Sequence, residues 1–494
     1  MSTRTRVLAR RRLSLQGWIA PATLMVTGVF VACGSSFEAR IPDAPAGTDD
    51  GDADPGAAAA ANGAEGGSPG ATDAADDGTS TSADAAALTT PSFVSLAERC
   101  KLINDRNLDD PSANLPTTRA NLRGTDLGIP VVNGTDLFFF FGDSAGFKAI
   151  WPLGPESLPD AVGYSGVPYA SVKADPSTLC TNLRFLGGPK QSGAGHAVDS
   201  TIERDFAAAS MNPPAGHTIS EYVHNPAGPR GANAFPSLPG DFEVPSGGFS
   251  HQGSIYLFYT TVVSPSTVEM KASYLARWTT PSTLNAPNYD ILYSLDERFD
   301  ANGAMHGDFI NVAPVVIGDF VYLFGTGAYR QSAVHLARKH LTDLATPGGF
   351  ERFDATTKTW VPANSATTAP VVASSGIGEL SVQYFPAIKR FAMLDQEITG
   401  GNNQVVARFA NAPEGPWSAP ITVASLSDPA FTAKYCCVSL DCTGERLINC
   451  DRAGFYGTYM LPDVTVHANG SFSIDFSMST WDPYDVALMT ATFH

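Results

Sequence analysis

The chain has 494 residues, 43 % of them hydrophobic, with 49 Asp and Glu against 31 Lys and Arg and a net charge of −18. It is long enough to bury a large core, and the acidic balance excludes a nucleic-acid binder or a polybasic membrane-surface protein.

The N-terminus reads as an export signal. Arg4, Arg6, Arg10, Arg11 and Arg12 form a basic region, and the apolar stretch from Trp18 to Ala32 is shorter than the roughly 20 residues a bilayer span needs. It stops at Val31-Ala32-Cys33, followed by Gly34 and two serines. Small residues before an accessible cysteine are what a lipoprotein signal peptidase requires. Residues 1–32 are therefore expected to be a lipoprotein signal peptide and Cys33 the lipidation site, rather than an ordinary secretory signal with a chance cysteine. Two or more acyl chains anchor durably. The expectation is an exported protein, lipid-anchored at the bacterial outer membrane or cell surface.

Residues 33–90 are Ala, Gly, Asp, Ser and Thr with almost no large apolar side chain, and carry 11 acids against one Arg. Such a segment cannot bury enough surface to fold, and is expected to be a disordered tether spanning on the order of 40 Å. Six cysteines follow: Cys100, Cys180, Cys436, Cys437, Cys442 and Cys450. An even count in an exported protein favours disulfides, with the adjacent Cys436 and Cys437 reaching separate partners. No CxxC pair or His spacing supports zinc.

From residue 91 to residue 494 short apolar runs bounded by Gly, Asn, Asp and Pro dominate, which reads as all-β. The runs repeat. A turn glycine followed by an aromatic strand occurs at Gly134-Thr135-Asp136-Leu137-Phe138-Phe139-Phe140-Phe141, at Gly253-Ser254-Ile255-Tyr256-Leu257-Phe258-Tyr259 and at Gly318-Asp319-Phe320-Val321-Tyr322-Leu323-Phe324. A weaker copy runs from Tyr384 to Leu394. Three Ala-Arg pairs, Ala276-Arg277, Ala337-Arg338 and Ala407-Arg408, recur at spacings of 61 and 70 residues. A period of that size fits propeller blades, and the available length predicts a five-bladed β-propeller after the tether. The Ala-Arg pairs suit packing and salt bridges better than chemistry.

The first hairpin places two acids. If Val132 pairs with Leu137 across the turn, the same register pairs Asp126 with Asp143; a two-residue shift leaves them diagonal on one face. Their Cβ atoms would then lie about 5 Å or about 7–8 Å apart. Like charges so close disfavour joint ionisation, leaving one acid protonated and one ionised, as glycoside hydrolysis requires. Glu243 and Asp308 each precede a turn glycine by ten residues, and Glu379 opens the next repeat, so all three are expected at the same mouth as substrate-binding acids. Asp and Glu that simply cap turns are the alternative.

The paired motifs Gly124-Thr125-Asp126-Leu127-Gly128 and Phe140-Phe141-Gly142-Asp143-Ser144 resemble the signature of a bacterial family long labelled a domain of unknown function, whose members are now associated with endo-D-arabinanase activity on mycobacterial arabinan. The resemblance extends to Gly378-Glu379-Leu380-Ser381-Val382 and to Ser479-Thr480-Trp481-Asp482-Pro483-Tyr484-Asp485-Val486, and covers about Leu122 to Phe493. It implies a five-bladed propeller with Asp126 and Asp143 as essential carboxylates. Departures from the family's pattern are Ser144 for its usual Thr, and His306-Gly307-Asp308 before Phe309. A long insertion runs from Gly154 to Gly240.

Sugars present flat apolar faces, and Trp151 and Trp481 are the preferred binding platforms, whereas the Phe138–Phe141 run suits the core. His251 is expected to face solvent, and His306 to line the mouth or cap Asp308. Walker, Rossmann, HExxH and GxSxG patterns are absent, which removes the common nucleotide, metalloprotease and serine-esterase readings. No cofactor is expected; converging acids would suit a structural Ca²⁺, though no ligand loop identifies one. The leading reading is a monomeric glycoside hydrolase acting on furanosidic polysaccharide, endo-acting on D-arabinan. A non-catalytic, lectin-like glycan-binding propeller is the alternative, and nucleic acid is not an expected partner.

Overall fold

The computed structural model describes residues 89–103, 122–150, 154–158, 160–186, 188–189, 217–218, 242–263, 269–283, 289–299, 305–365, 367–437, 442 and 444–494. Within them the chain is all-β. In chain order the strands are β1 (Phe93–Ile103), β2 (Leu122–Asn133), β3 (Asp136–Ile150), β4 (Gly154–Leu158), β5 (Val162–Ser165), β6 (Leu183–Phe185), β7 (Gly188–Pro189), β8 (His217–Thr218), β9 (Phe242–His251), β10 (Ser254–Val263), β11 (Glu269–Trp278) and β12 (Tyr289–Glu297). They continue as β13 (Asn311–Ile317), β14 (Phe320–Thr326), β15 (Ser332–His340), β16 (Glu351–Asp354), β17 (Thr359–Pro362), β18 (Val372–Phe385), β19 (Arg390–Thr399), β20 (Asn402–Ala410), β21 (Ile421–Ser425), β22 (Phe455–Val466), β23 (Phe472–Trp481) and β24 (Tyr484–Phe493).

The expected turns close the expected hairpins. Asn133 pairs with Asp136, His251 with Ser254 and Ile317 with Phe320, each across a two-residue turn carrying the repeated glycine. Successive hairpins build antiparallel meanders: β2-β3-β5-β6, β9 to β12, β13 to β16, and β18 to β21. The third and fourth are joined into one sheet by β15 pairing with β18. The last meander, β22-β23-β24, is completed by the first strand: β1 pairs with β24 from Phe93 opposite Phe493 to Ile103 opposite Val486. The leading strands β2, β9, β13, β18 and β22 touch one another in turn, and β22 touches β2. The opening of the Gly154–Gly240 insertion is not an added loop: it supplies β5 and β6, the outer strands of the first sheet.

Inner strands such as β10 and β23 are covered on both faces and are buried almost throughout, whereas outer strands such as β12 and β17 keep exposed positions. Phe138, Phe139, Phe140 and Phe141 are all buried, against Trp278 on one side and Phe185 on the other. Each fully buried aromatic contributes about 1.5–3 kcal/mol. The three Ala-Arg pairs are structural. Arg277 meets Asp290 at 3.2 Å, Arg338 meets Glu351 at 2.8 Å, and Arg408 bridges Asp395 and Glu397 at 2.5 Å each. The cysteines pair as Cys100–Cys180, Cys436–Cys450 and Cys437–Cys442, so the adjacent pair does reach separate partners.

Candidate active site

The site begins in the β2–β3 hairpin. Val132 pairs with Leu137 as the sequence suggests, but the register does not run straight to the acids. Leu127 and Gly128, both with positive φ, put an extra residue into β2, and Gly142-Asp143 put one into β3. The two bulges compensate: Thr125 faces Ser144, and Asp126 stands alone opposite Gly142-Asp143. The expected one-to-one Asp126–Asp143 pair is thus replaced by a bulge that re-aims both side chains. The hydroxyls of Thr125 and Ser144 hold it, each reaching the Gly142 carbonyl (3.1 and 3.0 Å) and one another (2.9 Å). Ser144 Oγ also accepts from the Ala161 amide. Gly142 is required here, because a Cβ would run into the Asp126 carboxylate.

Asp126 is 2 % exposed, and its Oδ2 accepts a 2.9 Å hydrogen bond from the Tyr456 hydroxyl on β22. Burial pushes its carboxyl well above the usual range and the neighbouring Asp143 pushes it further, while the Tyr456 and Tyr484 hydroxyls pull it back and Glu379 adds a smaller upward push. Asp143 is more open to solvent, and burial holds it at about 6. Glu243 on β9 is pushed up to about 8 by burial and then by Asp143. A fourth acid, Asp160, escaped the sequence reading. Its Ala161 neighbour hydrogen-bonds Phe141 and Ser144 through the backbone, which sets Asp160 beside the β3 bulge. It is buried, its Oδ2 has no hydrogen-bond partner among the described residues, and burial followed by the charges of Asp143, Glu243 and Asp126 raises it strongly. The structure therefore brings Asp126, Asp143, Asp160 and Glu243 into one electrostatic cluster.

The remaining expected residues divide. Glu379 reaches the cluster's field, yet both its oxygens are held by the Arg330 guanidinium at 3.1 and 3.3 Å. Asp308 is engaged by Arg352 at 2.5 Å and stands 3.6 Å from His335. His306 bonds the Ser365 carbonyl, so the cap on Asp308 is supplied by Arg352 instead, while Asp296 accepts from the Gly307 and Phe309 amides on either side. His251 is half-buried at the end of β9, beside the exposed turn Gln252-Gly253. Trp481 is half-buried and packs on two apolar clusters. Trp151 and Cys33 lie outside the described residues, as do the signal and most of the tether.

Tyr456 and Arg330 were also missed. Tyr456 is the second residue of β22, as Glu243 is of β9, but it stands fourteen residues before its turn glycine Gly470 rather than ten, so the spacing that marked Glu243 and Asp308 does not reach it. Among the described residues no group of three or more His, Cys, Asp or Glu is disposed to hold a metal ion.

A protein family described as a domain of unknown function, DUF4185, matches residues 111–490. Among curated proteins none matches. Solved structures give distant likenesses. A putative hydrolase from Bacteroides ovatus is 13 % identical with a TM-score of 0.48, over 76 % of this chain and 87 % of that one. The α-L-arabinofuranosidase PaAbf62A from Podospora anserina is 10 % identical with a TM-score of 0.40, over 82 % and 98 %. An exo-1,5-α-L-arabinanase from a bovine ruminal metagenomic library is 9 % identical with a TM-score of 0.34, over 75 % and 93 %.

Proposed function

The chain belongs to the DUF4185 family, and we propose that it is a closed five-bladed β-propeller that hydrolyses glycosidic bonds with Asp126 and Asp143. Five meanders whose leading strands touch in a ring, the last completed by the first strand, support the closed propeller. The hydrolase reading is carried by one observation: Asp126 and Asp143, on facing bulges in a buried acidic cluster, are both held above the ordinary carboxylate range. A pair that resists joint ionisation supplies one protonated acid and one carboxylate near neutral pH. The acid protonates the departing glycosidic oxygen. The carboxylate either activates water or attacks the anomeric carbon, and its negative charge stabilises the positive charge that develops on the sugar.

The substrate is a furanosidic polysaccharide cleaved internally, D-arabinan by the resemblance of the Asp126 and Asp143 motifs. Glu243 and Trp481 serve binding at the mouth, with Trp151. Incubation with mycobacterial arabinogalactan and a panel of other furanosidic glycans tests this. Oligosaccharide release is expected from the wild type, with Asp126→Asn and Asp143→Asn each lowering kcat by at least about 10³-fold. Wild-type protein that binds a glycan but cleaves none sinks the hydrolase reading; activity surviving both substitutions sinks only the site. We also propose that the chain is exported and anchored through acylated Cys33. Labelled palmitate should then enter the wild type and not Cys33→Ser, and equal labelling of both would contradict the assignment.

A further inference from the structure

Arg330 lies in the turn between β14 and β15 with φ +54, a conformation uncommon outside glycine and often retained where function requires it. Its guanidinium forks onto Glu379 of β18 and lies over the rings of Tyr329 (4.4 Å) and Tyr456 (5.1 Å). Arg330 and Glu379 are both largely buried, with side chains 14 % and 6 % exposed. Tyr456 in turn donates to Asp126. A second hold acts on the same tyrosine: the buried Gln396 side chain donates to the carbonyl of Phe455, the residue before it, at 3.0 Å. The two holds converge on Gly378, where a Cβ would come within 2.6 Å of Gln396 Oε1 and 2.8 Å of Arg330 Cγ.

We propose that Arg330 is a positioning residue for the hydrolytic site, its fork anchored on Glu379 so that its face holds the Tyr456 ring and, through the Tyr456 hydroxyl, the Asp126 carboxyl. The inference deepens the proposed function and rests on Asp126 being a working carboxyl. A planar fork suits the task, since it can bind Glu379 edge-on while its face meets two rings; a lysine ammonium cannot do both. It also neutralises Glu379, whose charge would otherwise bear on Asp126. The groups that face Asp126 among the described residues are Asp143 from β3, Glu379 from β18, Tyr456 and Tyr459 from β22 and Tyr484 from β24, with Asp160 beside β3.

The test reads Asp126 directly. Its protonated-carboxyl infrared band, identified as the band that Asp126→Asn removes, is titrated in wild type, Arg330→Gln, Tyr456→Phe and the double variant. Loss of either residue weakens the hold on the ionised form, so each single variant should raise the midpoint, by about one pH unit. Because Arg330 acts largely through Tyr456, the double variant should move by less than the sum of the two single shifts, exceeding Tyr456→Phe alone only by the effect of the uncovered Glu379 charge. Arg330→Gln should also lower kcat, counted per folded molecule, about tenfold with KM within about twofold; a smaller folded fraction leaves that per-molecule kcat and the infrared midpoint unchanged. A wild-type midpoint in folded Arg330→Gln, or full additivity in the double variant, overturns the proposal. Should Arg330→Gln not fold, Arg330→Lys keeps the charge but loses the fork, and gives the same readings. The infrared midpoints need no turnover, so a chain that cleaves no glycan would fail as a hydrolase without deciding the Arg330–Tyr456 coupling.

Discussion

Glu243 shows what the acidic cluster costs the fold. It is 8 % exposed, faces Asp143, and its carboxyl is held at about 8 against an ordinary 4.5. An acid raised in the folded state binds its proton more tightly there than in the unfolded chain. Its favourable contribution is therefore fully present below about pH 4.5 and is lost as pH rises through about 8. Asp143, raised from 3.8 to about 6, adds a loss in the same direction over a lower window. Between pH 4.5 and 8 the wild type should lose thermal stability, and Glu243→Gln, which cannot ionise, should flatten that slope. Melting curves across this range decide it: parallel slopes would contradict the burial of an ionisable Glu243. At the residue scale the sequence marked Asp126, Asp143 and Glu243 because turn glycines count positions along each hairpin. Asp160 left no such mark, since no turn glycine counts positions to it and it reaches the cluster by lying beside the β3 bulge. Glu379 was legible as a carboxylate, but its partner Arg330 sits in another meander and only the fold joins them.

The β2–β3 hairpin and β1 are the elements on which the site depends. The hairpin's turn and strands were legible from Asn133-Gly134 and the phenylalanine run. Its compensating bulges were not, because they arise from Leu127 and Gly128 adopting positive φ while Gly142 makes room for a carboxylate. The β1 strand was harder still. It lies nearly 400 residues from its partner β24, and nothing local in Phe93–Ile103 announces a strand that completes the last sheet. The Cys100–Cys180 bridge ties it to the segment just before β6, across a sequence separation of 80. Removing that bridge should destabilise the protein by about 2–4 kcal/mol. Denaturant midpoints of the Cys100→Ser/Cys180→Ser double variant measure the effect, and an unchanged midpoint would mean that β1 is secured by its strand pairing alone.

Across the whole molecule, the period of the Ala-Arg pairs revealed the meander repeat, and the structure explains why they recur: each arginine is paired with an acid on an adjacent strand of its own meander. The repetition also brings the ends of strands from different meanders to one place. Asp126 comes from the first meander, Glu243 from the second, Glu379 from the fourth and Tyr456 from the last, so the cluster exists only once the leading strands of these meanders are packed together. Side chains reaching the site from so many meanders are the reason its chemistry was half legible: no spacing along the chain pairs an arginine or a tyrosine with an acid in another meander. The most direct trial of the hydrolase reading is oligosaccharide release from mycobacterial arabinogalactan by the wild type, Asp126→Asn and Asp143→Asn proteins side by side. Release by the wild type that falls at least about 10³-fold in both variants is the expected result. Wild-type protein that is folded and binds the glycan, yet leaves arabinogalactan and every other furanosidic glycan intact, would contradict it.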